Sequence, residues 1–152
     1  MELLYKNIVY APEQIALIGQ WYHEEWNIAP AVTEKKLRNC GFPIPLHIVA
    51  YIDGNPVATG GIHREVGIHT AEPRFKNFTP WLALLYTVPE LRGTGIGSML
   101  CDILDTEARK LKIPEYFLYT RTAQSLYKRK GWEEMEQLTI RKETVSVMHK
   151  IL

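Results

Sequence analysis

The fold is decided by the segment Val88-Pro89-Glu90-Leu91-Arg92-Gly93-Thr94-Gly95-Ile96-Gly97-Ser98. It follows a near-continuous apolar run, residues 81–88, which is typical of a strand covered on both faces. Beyond it, apolar residues recur on one face of a helix: Ile96, Met99, Leu100, Ile103, Leu104 and Leu111. The segment is therefore predicted to join a buried strand to a helix through a glycine-rich turn.

A glycine-rich turn before a helix is a favourable binding site for an anion. The first N–H groups of a helix have no intrahelical acceptors, and the helix dipole adds partial positive charge there. Glycines let the backbone approach a phosphate closely, because they carry no Cβ. A turn without any ligand is the simpler alternative, but three alternating glycines next to Arg92 exceed what a tight turn needs. We expect an anion site made of backbone donors.

Two common phosphate-binding motifs do not fit the turn. The dinucleotide fingerprint GxGxxG would require a third glycine where Ser98 stands, and no acidic residue follows at a plausible strand end about 20 residues later. The nucleoside-triphosphate motif GxxxxGK[ST] is also missing. Both nicotinamide and nucleoside-triphosphate chemistry are therefore disfavoured.

The rest of the chain predicts alternating strands and helices. Hydrophobic periodicity and turn residues indicate a strand in 3–10, a helix opened by Ala11-Pro12-Glu13, a short helix in 32–37 and a hairpin around Asp53-Gly54-Asn55. They further indicate a loop in 63–79, with a short strand extension as the alternative, a strand in 116–120, a short helix in 122–130 and a hairpin in 137–152 around Arg141-Lys142-Glu143. This order predicts a single α/β (α+β) domain over residues 1–152, with a mixed sheet and helices on its faces.

Composition excludes several classes of protein. The 152 residues carry a net charge of +1, unlike a general nucleic-acid binder. The two cysteines, Cys40 and Cys101, show no metal-ligand spacing, so no metal is expected. There is no signal-peptide pattern and no apolar run of the ~18 residues that span a membrane. We expect a cytoplasmic protein without membrane or nucleic-acid partners.

Two blocks of sequence resemble a known family. Arg92-x-x-Gly95-x-Gly97, after a strand that ends in Val88-Pro89-Glu90, resembles motif A of the GNAT superfamily of N-acetyltransferases. Residues 123–132, AQSLYKRKGW, resemble its motif B, in which Tyr127 precedes Gly131 and an aromatic residue. Residues 147–152 resemble the last strand of the family. The runs PWLA (80–83), LYT (118–120) and LYKRKGW (126–132) are similar to one bacterial branch, most members of which have no assigned acceptor.

The resemblance implies a fold and a set of functional residues. The GNAT fold has a mixed, mostly antiparallel central sheet flanked by helices on both faces. The pyrophosphate of coenzyme A would bind the turn, and the pantetheine arm would run beside the end of the preceding strand. Tyr127 matches the general acid of the family, although a packing role is the alternative. The implied cofactor-binding residues are Tyr86, Thr87, Val88, Arg92, Gly93, Thr94, Gly95, Ile96, Gly97 and Ser98.

The acceptor side is less distinctive. An alkyl ammonium has a pKa of roughly 10.4, so a base or water must remove a proton from the amine. Candidate bases are His23, Glu24, Glu25, His63, Glu65 and His69, although any one of them is more simply a solvated residue. Tyr22, Trp26 and Trp81 are candidates for an aromatic acceptor wall, but aromatic residues at helical spacing more often belong to the core.

The resemblance predicts an acetyl-CoA-dependent N-acetyltransferase that acts on a primary amine of a small molecule or peptide. The alternative is a non-catalytic module that binds an acyl-CoA as a sensor or structural ligand. A nicotinamide-dependent oxidoreductase is disfavoured by Ser98. The acceptor, the acyl-chain length and the oligomeric state stay open, with a homodimer as one alternative.

Overall fold

The computed structural model describes residues 2–152. The strands are β1 Leu4–Asn7, β2 Leu46–Ile52, β3 Asn55–His63, β4 Trp81–Thr87, β5 Glu115–Thr120, β6 Glu133–Ile140 and β7 Glu143–Ile151. The helices are α1 Ile15–Trp26, α2 Pro30–Arg38, α3 Ile68–Ala71, α4 Ile96–Lys110 and α5 Gln124–Arg129. None of the described helices is both long enough and apolar enough to span a bilayer.

The strands form one seven-stranded sheet in the order β1-β2-β3-β4-β5-β7-β6. β1 and β2, β5 and β7, and β6 and β7 pair antiparallel, whereas β4 and β5 pair parallel in the register Trp81–Phe117. The predicted α/β architecture with a mixed, mostly antiparallel sheet is confirmed. The chain comprises two compact units, so the single-domain assignment of residues 1–152 stays a prediction.

The first unit takes in the chain up to Gly61 and Leu84–Leu100. The predicted hairpin between β2 and β3 is confirmed: Asp53 and Gly54 both have positive φ, 50° and 80°, as a two-residue hairpin turn requires. In α1 the apolar residues at helical spacing face the core, and Tyr22 is fully buried. The helix ends where Asn27 adopts the left-handed conformation.

The second unit comprises Ile62–Ala83 and Cys101–Leu152. Its core contains Ile68, Phe75, Trp81, Phe117 and Val147, all nearly or fully buried. Trp81 also donates its indole N–H to the carbonyl of Phe78 at 2.6 Å. These residues bring together α3, β4, β5 and β7.

The loop predicted for residues 63–79 is wrong, because this stretch contains α3 and a 3₁₀ helix, Pro73–Asn77. Helices of four and five residues are too short to show a hydrophobic period. The last hairpin turns at Arg141 and Lys142 as predicted, but β6 begins earlier than expected, at Glu133. A register irregularity between Glu134 and Glu136 lies at its start, where three exposed residues precede an alternation of half-buried and exposed ones.

Candidate active site

The end of β4 is distorted at Leu84, which has a φ of 63°. A bulky residue rarely adopts this left-handed conformation, because its Cβ approaches the backbone. The Leu84 carbonyl accepts a 2.6 Å hydrogen bond from the hydroxyl of Tyr22 in α1. The backbone that leads into the glycine-rich turn therefore begins at a strained residue whose carbonyl is bonded to a buried side chain.

Two residues further on, Tyr86 is enclosed by aromatic side chains from α1. Its ring stacks on Trp21 with centroids 5.2 Å apart, and the rings of Tyr22 and Trp26 meet it edge-on at 6.3 Å. The guanidinium carbon of Arg92 lies 5.3 Å from the centre of the same ring. Burial raises the pKa of the Tyr86 hydroxyl, although the Arg92 charge opposes the shift. The ring thus couples α1 to the residue that begins the glycine-rich segment.

The Arg92 side chain is held by backbone and side-chain acceptors. Its Nε donates to the carbonyl of Thr87 at 2.9 Å, and its two terminal nitrogens bind the carboxylate of Glu25 at 3.3 and 2.8 Å. The hydrogen bonds that it donates to Glu25 raise the pKa of Arg92. The guanidinium therefore lies over the end of β4 and stays charged at every physiological pH.

The glycine-rich turn lies between β4 and α4, and two of its glycines have positive φ. Gly93 and Gly95 have φ values of 79° and 95°, and a Cβ built on either would meet nothing within 4 Å. The Thr94 hydroxyl donates to the carbonyl of Leu91 at 2.5 Å, and the Met99 N–H bonds the Gly95 carbonyl. That last bond makes Gly95 the residue before the first helical turn, so the three following N–H groups have no acceptor within α4.

The backbone groups near the end of β4 are not equally available. The Val88 N–H donates to the carbonyl of Val57 in β3 at 2.9 Å, and the Val88 carbonyl accepts from Leu91. Because N–H direction alternates along a strand, the N–H of Thr87 faces the edge of β4 away from β3. Among the residues named for the pantetheine arm, Val88 therefore offers no spare donor, and Thr87 is the better placed one.

Tyr127 lies in α5 of the second unit. Its side chain is 8% exposed, and the ring meets Trp132 edge-on at 6.2 Å. Burial raises the pKa of the Tyr127 hydroxyl well above its ordinary value, and the nearby thiol of Cys101 adds to the shift. The phenol therefore remains protonated and can donate a hydrogen bond.

A buried polar cluster anchors the end of α5. Lys150 of β7 donates to the carboxylate of Asp105 in α4 at 2.6 Å and to the carbonyl of Lys130 at 2.5 Å. Tyr116 of β5 donates to the same carboxylate. Lys130 in turn binds Asp102 of α4 at 2.8 Å. Because Lys150 contacts the chain just after α5, this cluster ties the tyrosine-bearing helix to the second unit.

The candidate bases fall into three groups. His63 and His69 are buried, whereas His23 and Glu65 are exposed. The carboxylates of Glu24 and Glu25 bind other side chains, those of Gln20 and Arg92. The assignment of a base among the six stays a prediction.

The aromatic residues suggested for an acceptor wall belong mostly to the core. Tyr22 and Trp81 have exposures of 0%, so they offer no surface to an acceptor, whereas Trp26 is 40% exposed. Sequence reasoning also missed two features of the site. The bond between Glu25 and Arg92 joins residues 67 positions apart, and leucine at position 84 gives no signal of positive φ.

Comparisons with known proteins agree with this geometry. The sequence model described as an acetyltransferase (GNAT) domain matches residues 43–134, which is more than half of the 152-residue chain. Among curated protein sequences, none matches the chain.

Solved structures share the fold at low sequence identity. An aminoglycoside 6'-N-acetyltransferase complexed with coenzyme A has a TM-score of 0.78 at 13% identity, over 97% of this chain and 96% of that chain. Ard1 from Thermoplasma volcanium has a TM-score of 0.76 at 16% identity, over 100% and 99% of the two chains. A ribosomal-protein-alanine N-acetyltransferase from Brucella melitensis has a TM-score of 0.72 at 19% identity, over 100% of both chains.

The family match is independent of these structures and covers the strand, the glycine-rich turn and the motif that contains Tyr127. It confirms the resemblance seen in the sequence and, at the level of the family, the expected co-substrate acetyl-CoA. The chain belongs to the acetyltransferase (GNAT) domain family.

Proposed function

We propose that this protein transfers the acetyl group of acetyl-CoA to a primary amine by direct attack of the amine on the thioester. The observation that carries the proposal is the open turn at Gly93 and Gly95, which leads into the first N–H groups of α4 beside the charged Arg92. A helix N-terminus with glycines before it suits a phosphate, because the backbone supplies both donors and partial positive charge.

The proposed donor site uses mostly backbone atoms. The N–H groups from Gly93 to Ser98 bind the pyrophosphate, and Arg92 adds a charged group nearby. The exposed edge at Thr87 binds the pantetheine arm as an added strand would. Backbone donors at the end of β4 polarise the thioester carbonyl, since preorganised donors stabilise the oxyanion that forms there.

The proposed reaction forms one C–N bond and breaks one C–S bond, with atoms and charge balanced. The amine nitrogen attacks the carbonyl carbon, forming a C–N bond and a tetrahedral oxyanion. Collapse of this intermediate breaks the C–S bond and expels the thiolate of coenzyme A. The nitrogen loses one proton to a base or water and the sulfur gains one, so the products are an N-acetyl amide and the free thiol.

Tyr127 is the proposed donor to the departing sulfur. A simple thiol has a pKa of roughly 8.5 and a phenol of roughly 10, so transfer of the phenolic proton to the thiolate is already uphill. Burial raises the pKa of Tyr127 further, which increases that cost. We therefore favour a hydrogen bond that stabilises the thiolate, with solvent completing its protonation.

A thiol-release assay tests the proposal. The protein is mixed with acetyl-CoA and a panel of amines that includes an aminoglycoside and a peptide with N-terminal alanine, the classes named for similar structures. We expect amine-dependent release of free coenzyme A. In a parallel thermal-shift measurement, a ligand at a hundred times its Kd stabilises by roughly 2.7 kcal/mol, which is readily detected.

The two readouts separate the alternatives. Stabilisation by acetyl-CoA without thiol release across a broad amine panel would favour the non-catalytic acyl-CoA-binding module. Stabilisation by NAD and not by coenzyme A would overturn the proposal. The oligomeric state, including a homodimer, is measured on the same samples by light scattering.

A further inference from the structure

Leu84 adopts a backbone conformation that its own side chain disfavours. Its φ of 63° lies in the left-handed region, where bulky residues are uncommon and persist only when the surroundings hold them. Leu84 is part of β4, only two residues before Tyr86. The strain therefore lies at the start of the backbone segment that the proposed reaction uses.

The group that holds Leu84 is the side chain of Tyr22. The tyrosine hydroxyl donates to the Leu84 carbonyl at 2.6 Å across 62 positions of sequence, and its side chain is fully buried. The Tyr22 side chain is buried and the Leu84 bond is partly buried, so losing the bond would leave a polar group without its partner at a cost in free energy; the bond therefore favours the distorted conformation over an ordinary strand.

His47 completes a chain of hydrogen bonds. Its Nε2 lies 3.1 Å from the Tyr22 hydroxyl, and the imidazole is fully buried in β2. Because the hydroxyl has one proton and directs it to Leu84, the bond from His47 must be donated by Nε2–H. Each bond in such a chain polarises the next, which strengthens the hold on the carbonyl.

Because the peptide between Leu84 and Leu85 is planar, the bond that fixes the Leu84 carbonyl also fixes the direction of the Leu85 N–H. The bond between Leu84 and Leu85 is trans, so the Leu85 N–H points opposite to the Leu84 carbonyl and away from Tyr22. We propose that Tyr22, supported by His47, is a positioning residue that orients this peptide for the thioester. The inference rests on the proposed function, because it assigns these residues to the step in which backbone donors meet the thioester carbonyl.

The first test compares Tyr22→Phe with a control variant, Tyr119→Phe. Both remove one hydroxyl that is hydrogen-bonded inside the protein, but Tyr119 bonds the backbone at Gly67 and Ile68 and makes no bond to Leu84. Misplacing a reacting group by about 1 Å can lower the rate roughly 10²-fold. We expect Tyr22→Phe to lower kcat tenfold or more. Its Kd for free coenzyme A, which lacks the thioester carbonyl, should stay within about twofold of the wild-type value.

The expected result for Tyr119→Phe is a loss of thermal stability with kcat retained. Equal kcat values for the two variants would overturn the positioning role, even if both differ from the wild type. A parallel loss of coenzyme A affinity and kcat in Tyr22→Phe would also overturn it, because that pattern indicates general damage to the cofactor site.

A second pair of variants covers the case in which Tyr22→Phe does not fold. His47→Gln keeps an N–H donor, whereas His47→Leu removes it. We expect kcat to be higher in the glutamine variant than in the leucine variant, with Kd for coenzyme A equal in both; identical kcat values would overturn the role of His47.

No turnover in the wild-type protein would overturn the proposed function, and with it a role for Tyr22 in turnover. Normal wild-type turnover with unaffected variants would overturn the inference alone.

Discussion

The environment of Tyr127 limits what its hydroxyl can contribute. Because burial raises its pKa, the group is a hydrogen-bond donor rather than a ready source of protons. We expect Tyr127→Phe to lower kcat by roughly 10²-fold, the lower range for a positioned acid–base group, with little change in Kd for coenzyme A. Steady-state kinetics and calorimetry measure the two quantities.

The exposed Tyr10 offers a matched control, since Tyr10→Phe removes a hydroxyl at a surface position. Because the pKa of Tyr127 is raised, its ionisation cannot set an alkaline limb near pH 8–9. Wild-type and Tyr127→Phe proteins should therefore have the same shape of pH–rate profile over that range. Full activity in the phenylalanine variant would remove Tyr127 from the mechanism.

Substitutions of Arg92 and of Glu25 are expected to change the affinity for coenzyme A in opposite directions. Hydrogen bonds to charged groups contribute about 1.5–3 kcal/mol, so Arg92→Ala should weaken coenzyme A binding roughly 10- to 100-fold. The Arg92–Glu25 pair is substantially exposed, and such pairs are worth at most about 1 kcal/mol. Glu25→Gln frees the guanidinium and should tighten binding by no more than about fivefold. Calorimetric Kd values measure both effects.

Arg38 provides the control for a lost surface arginine, because it forms an exposed ion pair with Glu34. Arg38→Ala should leave the Kd for coenzyme A unchanged. Weaker binding in Glu25→Gln would contradict the competition between Glu25 and the pyrophosphate for Arg92.

At the scale of elements, the turn before α4 and the β2–β3 hairpin place the same demand on the backbone. Gly95 and Gly54 have φ values of 95° and 80°, and a Cβ would meet nothing at either position. Alanine at positive φ costs roughly 1–2 kcal/mol, so both Gly→Ala variants should lose similar stability. Only Gly95→Ala places a methyl group in the proposed pyrophosphate site, and only it should lose coenzyme A affinity. Denaturant unfolding and calorimetry separate the two effects, and equal affinities in the two variants would contradict the assignment of the turn.

The sequence predicts elements whose signal is local. Asp53-Gly54 indicates the hairpin because both positions need positive φ, and the alternating glycines indicate the turn before α4. The α3 segment was missed because four residues cannot display a helical period. Short helices of this kind are stabilised by tertiary burial, here of Ile68, and not by local pattern.

The residues of the candidate site also divide into those with a local sequence signal and those without one. Its glycines and Arg92 are recognisable as a motif, since their chemistry depends on neighbours in the chain. The Tyr22–Leu84 bond joins two distant segments, and no residue preference for positive φ exists at leucine. The helical spacing of Tyr22 favours the core over an acceptor wall, and the structure buries it there, but the sequence gives no sign of its bond to Leu84.

For the whole molecule, buried tyrosines make stability depend on alkaline pH. Burial raises the pKa of Tyr22, Tyr116 and Tyr127, and an unfolded tyrosine titrates near 10. Their contribution to the free energy of unfolding is present in full below pH about 10 and is lost as pH rises through the raised values. We expect these phenols to ionise only together with unfolding. Absorbance at 295 nm and circular dichroism, recorded in one pH titration, measure the two events; complete tyrosine ionisation with the native dichroism retained would contradict this expectation.

In the proposed function, the glycine-rich turn binds the pyrophosphate of coenzyme A through backbone N–H groups. The most direct measurement is a titration of ¹⁵N-labelled protein with coenzyme A, followed by amide NMR. We expect the largest shifts at Gly93, Gly95 and Gly97, and little change at Gly54 in the hairpin and Gly131 after α5. Unchanged amide signals from the turn at saturating coenzyme A would contradict it.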